Sequence, residues 1–426
     1  MKRAWRRGLV LAALVASVDA GPLVAQTLTN RGFADAAVTF YPEDAPNDPV
    51  NVVGDVLVRD ELFVKPLAWL QFGAGIDLRA NSHDQVEREW RVDFADRTIL
   101  RPAISVRRLS ATIARGPLTI DVGRQFIRWG KTDIVTPTDR FAPRDFVNVI
   151  SNEFLGVWGA RGVAQSGAHT IELVWVPAFT PSRTPLLNQR WAPTDPGTAT
   201  LVDFGADIPG GSQAGVRYSH VGDLIEYSLS AFNGFNHLPN IEVVPLSGGA
   251  APSPISPAPV GPFVVGVRRL YPTMKSVGAD VAVPTRWFAI KAEAAYSTSD
   301  TPGTDDYVLY VIQLERQSGE WQFVGGYAGE VVTEQRAALT FAPDRGLTRA
   351  IVARAAYTIG PTRSVGIEGA VRQNGRGVYS KVEYSQAYGQ HWRGTVSGIL
   401  IGGHSDDFLG QYHDNSNIVA TLRYSF

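Results

Sequence analysis

Cysteine is absent from the 426 residues, which excludes both a disulfide framework and a lipid-anchored N-terminal cysteine. After the first twenty residues no run of 18 or more apolar residues occurs, so no segment has the length and composition of a membrane-spanning helix. A membrane role would have to rest on strands. Lysine is scarce, six residues against 34 arginines. Arginine holds carboxylates through a planar fork and stays charged when partly desolvated, as a water-filled interior laced with ion pairs requires; a GC-rich genome gives the same bias. The seven histidines, at 83, 169, 220, 237, 391, 404 and 413, are scattered, and none stands in a hydrolase motif.

The chain opens MKRAWRRGLVLAALVAS, four basic residues ahead of a short apolar run from Leu9 to Val18. This is the pattern of a secretory signal peptide, placing residues 1–25 outside the folded protein, with Ala20 as an alternative cleavage position. Without them 36 basic residues face 40 acidic ones, a slightly acidic balance that gives no support for nucleic-acid binding. Residues 26–426 form one expected domain.

From about residue 30 the apolar pattern has period two. In NSNIVATLRYSF, Ile418, Ala420, Leu422, Tyr424 and Phe426 share one face, and Val419, Thr421, Arg423 and Ser425 the other. VYSKVEY, SVGIEGAV and HTIELVW divide in the same way. A polar face carrying arginine and lysine suits a wet lumen better than a sandwich core, and strands of 10 to 13 residues are long enough to cross a bilayer at a tilt. Short turns near Lys65-Pro66, Gly116-Pro117, Ser166-Gly167, Gly222-Asp223, Pro284-Thr285, Ser318-Gly319, Gly360-Pro361 and Gly389-Gln390 alternate with longer polar connections. Eight such turns, with a first strand at about 32–41 and a last at about 415–426, predict an all-β, antiparallel up-and-down transmembrane barrel of eighteen strands, with sixteen as the alternative count. Short turns would face the periplasm and long loops the exterior. The Pro/Ser/Gly tract PLSGGAAPSPISPAPVGP, in the connection 236–272, predicts an exposed loop. A secreted propeller or sandwich is the soluble alternative.

A Pro-punctuated stretch dense in both charge signs is DVGRQFIRWGKTDIVTPTDRFAPRDF, residues 121–146. WGKT lacks the glycine that a phosphate-binding loop places five residues earlier, where Gln125 stands. Asp133, Asp139 and Asp145 lack the spacing of a calcium loop. No cofactor or metal is expected, and no catalytic residue. What remains is a strand, 117–129, delivering Arg124, Gln125 and Arg128, followed by Lys131, Asp133, Asp139, Arg140, Arg144 and Asp145 on a segment stiffened by Pro137 and Pro143. Folded inward over 130–153, it would narrow a pore; the alternative is a clasp that pins the loop to the wall. Pairing of Arg124 and Arg128 with Asp133 and Asp139 is expected.

The segment 123–146 resembles the GRQ...WG...D...P-D stretch of a poorly characterised family of bacterial outer-membrane porin-like barrels, at Gly123, Arg124, Gln125, Trp129, Gly130, Asp139 and Asp145. It is more distantly similar to alginate-export-type barrels. The resemblance implies the outer membrane of a Gram-negative cell and a channel for passive diffusion or export of hydrophilic solutes, charged ones included, or of polysaccharide. Its partners would be outer-membrane lipid and the outer-membrane assembly machinery, for which Phe426 resembles the terminal signal. A carrier of hydrophobic molecules and an outer-membrane hydrolase are the alternatives.

Overall fold

In the computed structural model, the described residues are 27–187, 189–192, 199–245, 263–336 and 342–426. The signal-peptide expectation and most of the Pro/Ser/Gly tract lie outside them.

Eighteen strands make the wall: β1 Thr27–Phe40, β2 Val52–Leu67, β3 Leu70–Asn81, β4 Ile104–Arg115, β5 Leu118–Gln125, β6 Val157–Ser166, β7 His169–Val176, β8 Gln213–Val221, β9 Glu226–Phe235, β10 Thr273–Pro284, β11 Ala289–Thr298, β12 Asp306–Ser318, β13 Trp321–Glu334, β14 Ala350–Ile359, β15 Arg363–Arg372, β16 Gly377–Tyr388, β17 Trp392–Gly403 and β18 Asn417–Ser425. Each pairs antiparallel with the next, and β1 closes on β18 from Phe33↔Ser425 to Phe40↔Ile418. Closure leaves the wall no free edge, so its backbone groups are paired without water, which a bilayer demands.

The alternation has a direct cause. Outward positions such as Leu173, Trp175, Leu229, Val277, Ile312, Ile351, Leu400 and Leu422 are exposed because lipid, absent here, is their solvent. Their neighbours point into the bore, where Asp77, Glu172, Asp280, Glu293 and Gln313 are buried against partners. Aromatic rings gather at the short-turn end, with Trp321 beside Tyr357 and Trp392 beside Tyr424 at centroid distances of 4.7 and 4.9 Å, as an interfacial girdle does. Gly116, Gly167, Gly319, Gly360 and Gly389 all take positive φ in the short turns.

Two features depart from the expected layout. The strand expected over 117–129 ends at Gln125, where pairing with β6 stops at Gln125↔Val157. Gly123, with φ of 117°, is still paired on both sides; Gly130, with φ of 103°, lies beyond the last pair, where the chain has left the wall. The connections after β7 and β9 are also not wholly irregular. Ala199–Asp207, Asn240–Pro245 and Phe263–Leu270 form a three-stranded sheet at the long-loop end.

Candidate functional site

The segment 126–156 leaves β5 and makes its contacts with inward-facing groups on strands far round the wall. Near its start, Trp129 donates its indole N–H to Glu172 of β7 (2.7 Å), a carboxylate that also takes the Arg161 fork at 2.8 and 2.9 Å. Lys131 reaches Glu226 of β9 at 2.7 Å and stands 3.9 Å from Asp280 of β10. Glu293 of β11 accepts from the backbone of Lys131, Thr132 and Thr138. Gln313 of β12 accepts from the Asp133 and Ile134 N–H groups and donates to the Asp133 carboxylate at 2.8 Å.

Apolar packing reinforces these bonds. Ile127, Trp129 and Phe141 of the segment join inward-facing Val174, Val176, Phe232, Met274 and Leu309 in one buried cluster. Phe141 lies edge-on to both Trp129 (5.0 Å) and Phe232 (4.9 Å). On the opposite side, Val149 belongs to a second cluster with Tyr379, Ile399 and Ile401 of β16 and β17. A short hairpin, Arg144–Asp145 against Glu153–Phe154, then carries Glu153 back to Arg59 and Arg79 of β2 and β3, at 3.2 and 2.8 Å. Burial opposes ionisation of Glu153, but Arg79 and Arg59 outweigh it and bring its carboxyl down to about 2.

The nine residues singled out from the sequence fall into two groups. Arg128, Lys131, Asp133, Asp139 and Arg144 lie on the segment beside remaining open space. Arg128 is half exposed, 3.4 Å from Asp139, and its guanidinium lies 3.9 Å over the Phe154 ring. Arg144 stacks on the same ring at 4.4 Å. Asp133 stands 3.7 Å from Lys291. The others are buried. Arg124 donates to the Phe94 carbonyl and the Asp96 carboxylate; it makes no bond to Asp133 or Asp139. Its strand position pairs with outward-facing Leu109, and the 92–97 stretch covers it. Gln125 bonds the Gly159 carbonyl, and Arg140 bonds that of Pro137. Asp145 takes the Arg101 fork at 2.8 and 3.0 Å and Arg183 at 3.1 Å. Burial raises its carboxyl, but Arg101 and Arg183 overcome this and hold it well below the usual carboxylate range. Arg183 also binds Asp96, so Arg124, Asp96, Arg183, Asp145 and Arg101 form one chain linking three connections at the long-loop end.

Two spaces flank the segment. One, of about 320 Å³, is bounded by Arg59, Arg107, Phe126, Arg128, Glu153 and Phe154. Arg107 stacks on Phe126 at 4.5 Å, its nearest carboxylate is Glu61 at 3.8 Å, and its buried Nε has no partner. The second, about 270 Å³, opens among apolar Ile134, Ile150, Leu347 and Phe408 and polar Asp139, Arg144 and Glu368. Sequence reasoning missed Arg59, Arg107 and Glu153, because each is ordinary in its own strand or loop and only barrel closure brings them together. It also missed Glu293, whose signal was a lone acid at an inward position of β11. Among the described residues, no group of three or more His, Asp or Glu side chains is arranged to hold a metal ion.

No family model and no curated protein matches the chain. Solved structures do match its fold. OccAB4 of Acinetobacter baumannii aligns with a TM-score of 0.53 at 12% identity, over 95% of this chain and 98% of the other. A BenF-like porin from Pseudomonas fluorescens Pf-5 gives 0.54 at 8% identity, over 95% and 99%. OccK5 (OpdH) of Pseudomonas aeruginosa gives 0.54 at 8% identity, over 96% and 99%. The fold is therefore a transmembrane β-barrel shared with solved bacterial porins along nearly its whole length.

Proposed function

We propose that the protein is a passive outer-membrane channel for small hydrophilic solutes, that residues 126–156 form its constriction, and that the narrow part favours anions. The observation that carries this reading is the gap between the segment and the β2–β4 wall, where Arg59, Arg107 and Arg128 face Glu153. Arg59 is forked on Asp77 at 2.7 and 2.8 Å and half-exposed Arg128 has Asp139 only at 3.4 Å, while Arg107 has Glu61 no nearer than 3.8 Å. Arg107 and Arg128 therefore leave loosely compensated positive charge beside a space of molecular size. Little water stands there to screen it, so its field on a passing solute exceeds that of charges at the rim. The guanidinium groups of Arg107 and Arg128 lie over the rings of Phe126 and Phe154 at 4.5 and 3.9 Å, and a guanidinium fork matches planar oxyanions. No energy input or covalent step is involved.

The likeness of Gly123, Arg124, Gln125, Trp129, Gly130, Asp139 and Asp145 to the porin-like family, and more remotely to alginate-export barrels, supports the same reading. Passage of an extended polysaccharide through the gap, and recognition of the aromatic last strand by the assembly machinery, are parts of the proposal that rest on that likeness.

The test is single-channel recording of purified protein in a planar bilayer under a salt gradient. Replacing Arg107 and Arg128 together by Gln should move the reversal potential towards cation selectivity. Deleting residues 131–145 should enlarge the conductance. A folded barrel in which neither change alters either quantity would leave the segment a structural clasp, and the selective site would lie elsewhere.

A further inference from the structure

Among the described residues, one wall side chain gathers more of the segment's donors than any other. Glu293, inward-facing at mid-β11, is 2% exposed. Its Oε2 accepts from Lys131 N (2.9 Å) and Thr132 N (3.2 Å), with Thr132 Oγ1 at 3.0 Å sharing its one proton with the Val135 carbonyl at 2.5 Å; its Oε1 accepts from Thr138 N (2.7 Å) and Thr138 Oγ1 (2.8 Å). Five donor groups surround a carboxylate that offers about four lone-pair directions, so it is saturated even without the Thr132 hydroxyl. All five come from one nine-residue stretch, GKTDIVTPT, so the segment is folded round this single anion. Gly130 belongs to the arrangement. Its φ is 103°, and a Cβ there would stand 2.8 Å from Glu293 Oε1.

The bonds continue to the open gap. Thr138, fixed at both N and Oγ1, is followed by Asp139, whose carboxylate accepts from Trp129 N (3.2 Å) and Arg128 Nε (3.4 Å). Arg128 is thus set in place from Glu293 through Thr138 and Asp139.

We propose that Glu293 is the positioning residue of the channel: by holding residues 130–138 it places Arg128 over the gap and so sets ion preference, although its own charge is sealed from the passing solute. This deepens the constriction reading and rests on it. The two ways in which a lumen glutamate can act have opposite signs. If Glu293 acted as a charge in the pathway, neutralising it would remove a negative group and shift preference towards anions. Acting as an anchor, its removal frees Arg128 from the gap and shifts preference towards cations.

The experiment compares E293A, E293Q, R128Q, R128Q/E293A and the deletion of 131–145 by single-channel conductance, current noise and reversal potential. Heat-modifiable gel mobility reports the folded barrel. For E293A, the expected reversal potential moves towards cations by at least half the shift of R128Q, with conductance raised by at least half the increment of the deletion and added open-channel noise. E293Q, which keeps one acceptor oxygen, should fall between E293A and the parent. The double variant should match R128Q within error, because both changes remove the same group from the gap.

A shift of E293A towards anions, or an additive double variant, would overturn the anchor. Parental behaviour of E293A beside an enlarged deletion channel would overturn it too, while leaving the constriction intact. Parental behaviour of both would remove the constriction reading and the anchor with it. If E293A fails to assemble, T132V/T138V, which removes the two hydroxyl donors from the loop side, makes the same comparison, and parental currents there would count against the anchor.

Discussion

Asp139 shows how a single buried group ties the segment's geometry to pH. Burial raises its carboxyl to about 6; the Trp129 N–H, Arg144 and Arg128 oppose the rise without cancelling it. The charged groups acting on it are Arg144 and Arg128, and Arg140, Asp344 and Glu368 line the same cavity. Above that value Asp139 is ionised and compensates Arg128; below it the neutral acid still accepts from Arg128 Nε and Trp129 N, so Arg128 stays in place and presents its full charge to the gap. The reversal potential should therefore move towards anions as pH falls from about 7 to about 5, one unit either side of the midpoint. Asp139→Asn should hold the acid-side value across the whole window. His237, driven down to about 4 by burial, titrates below it. A pH response unchanged in Asp139→Asn would assign the effect to another group. The stability linkage has the matching sign. A carboxyl raised on folding favours the folded state most below its ordinary value, and this contribution is lost as pH rises through about 6.

At the scale of strands and loops, legibility followed chemistry that is local in sequence. Seven of the eight short turns stood out because Gly or Pro punctuates an alternating run, and five of those glycines take the positive φ that only glycine adopts without strain; the first turn lies at Ala68-Trp69, past Lys65-Pro66, which is still in β2. Strand faces were legible in the last strand, where Leu422 faces out and Arg423 faces in to meet Asp35 at 2.6 Å. The fate of the segment after β5 was not legible residue by residue. Inward Phe232, Met274 and Leu309 break the polar-in rule, and their reason, a buried cluster with Trp129 and Phe141, exists only across strands distant in sequence. Arg124 was misleading because strand parity said nothing of the 92–97 stretch that covers it. The last element carries its own prediction. Phe426 pairs with Gly32 in both backbone directions at 3.0 Å, and its ring occupies the space where a Gly32 side chain would stand. Deleting Phe426 should lower the yield of assembled, heat-modifiable barrel while leaving the conductance of assembled channels unchanged. Equal yield by gel quantification would remove any role for it in closure.

Taken whole, the molecule has two layers of stability with different physics. The wall is held by a closed backbone ladder and a lipid-facing belt, neither of which depends on any one side chain. The contents of the bore and the long-loop end are held by discrete buried charges, so they are sensitive to single substitutions. Asp145 is the sharpest test, because Arg101 places its fork on it and Arg183, 4% exposed at its side chain, donates one N–H to it, while Arg183 also joins Asp96 to the chain that ends at Arg124. Asp145→Asn leaves two guanidinium groups short of a counter-charge, a loss of about 3–5 kcal/mol for a buried pair broken from one side. That cost falls on the loops and not on the ladder. Asp145→Asn barrels should still run as the folded, heat-modifiable species on gels. Protease added from the long-loop side should cut the connections 82–103 and 126–156 several-fold faster than in the parent. Loss of the heat-modifiable species would mean that the ion network also supports the wall, and unchanged cleavage would mean that the apolar clusters alone hold the loops.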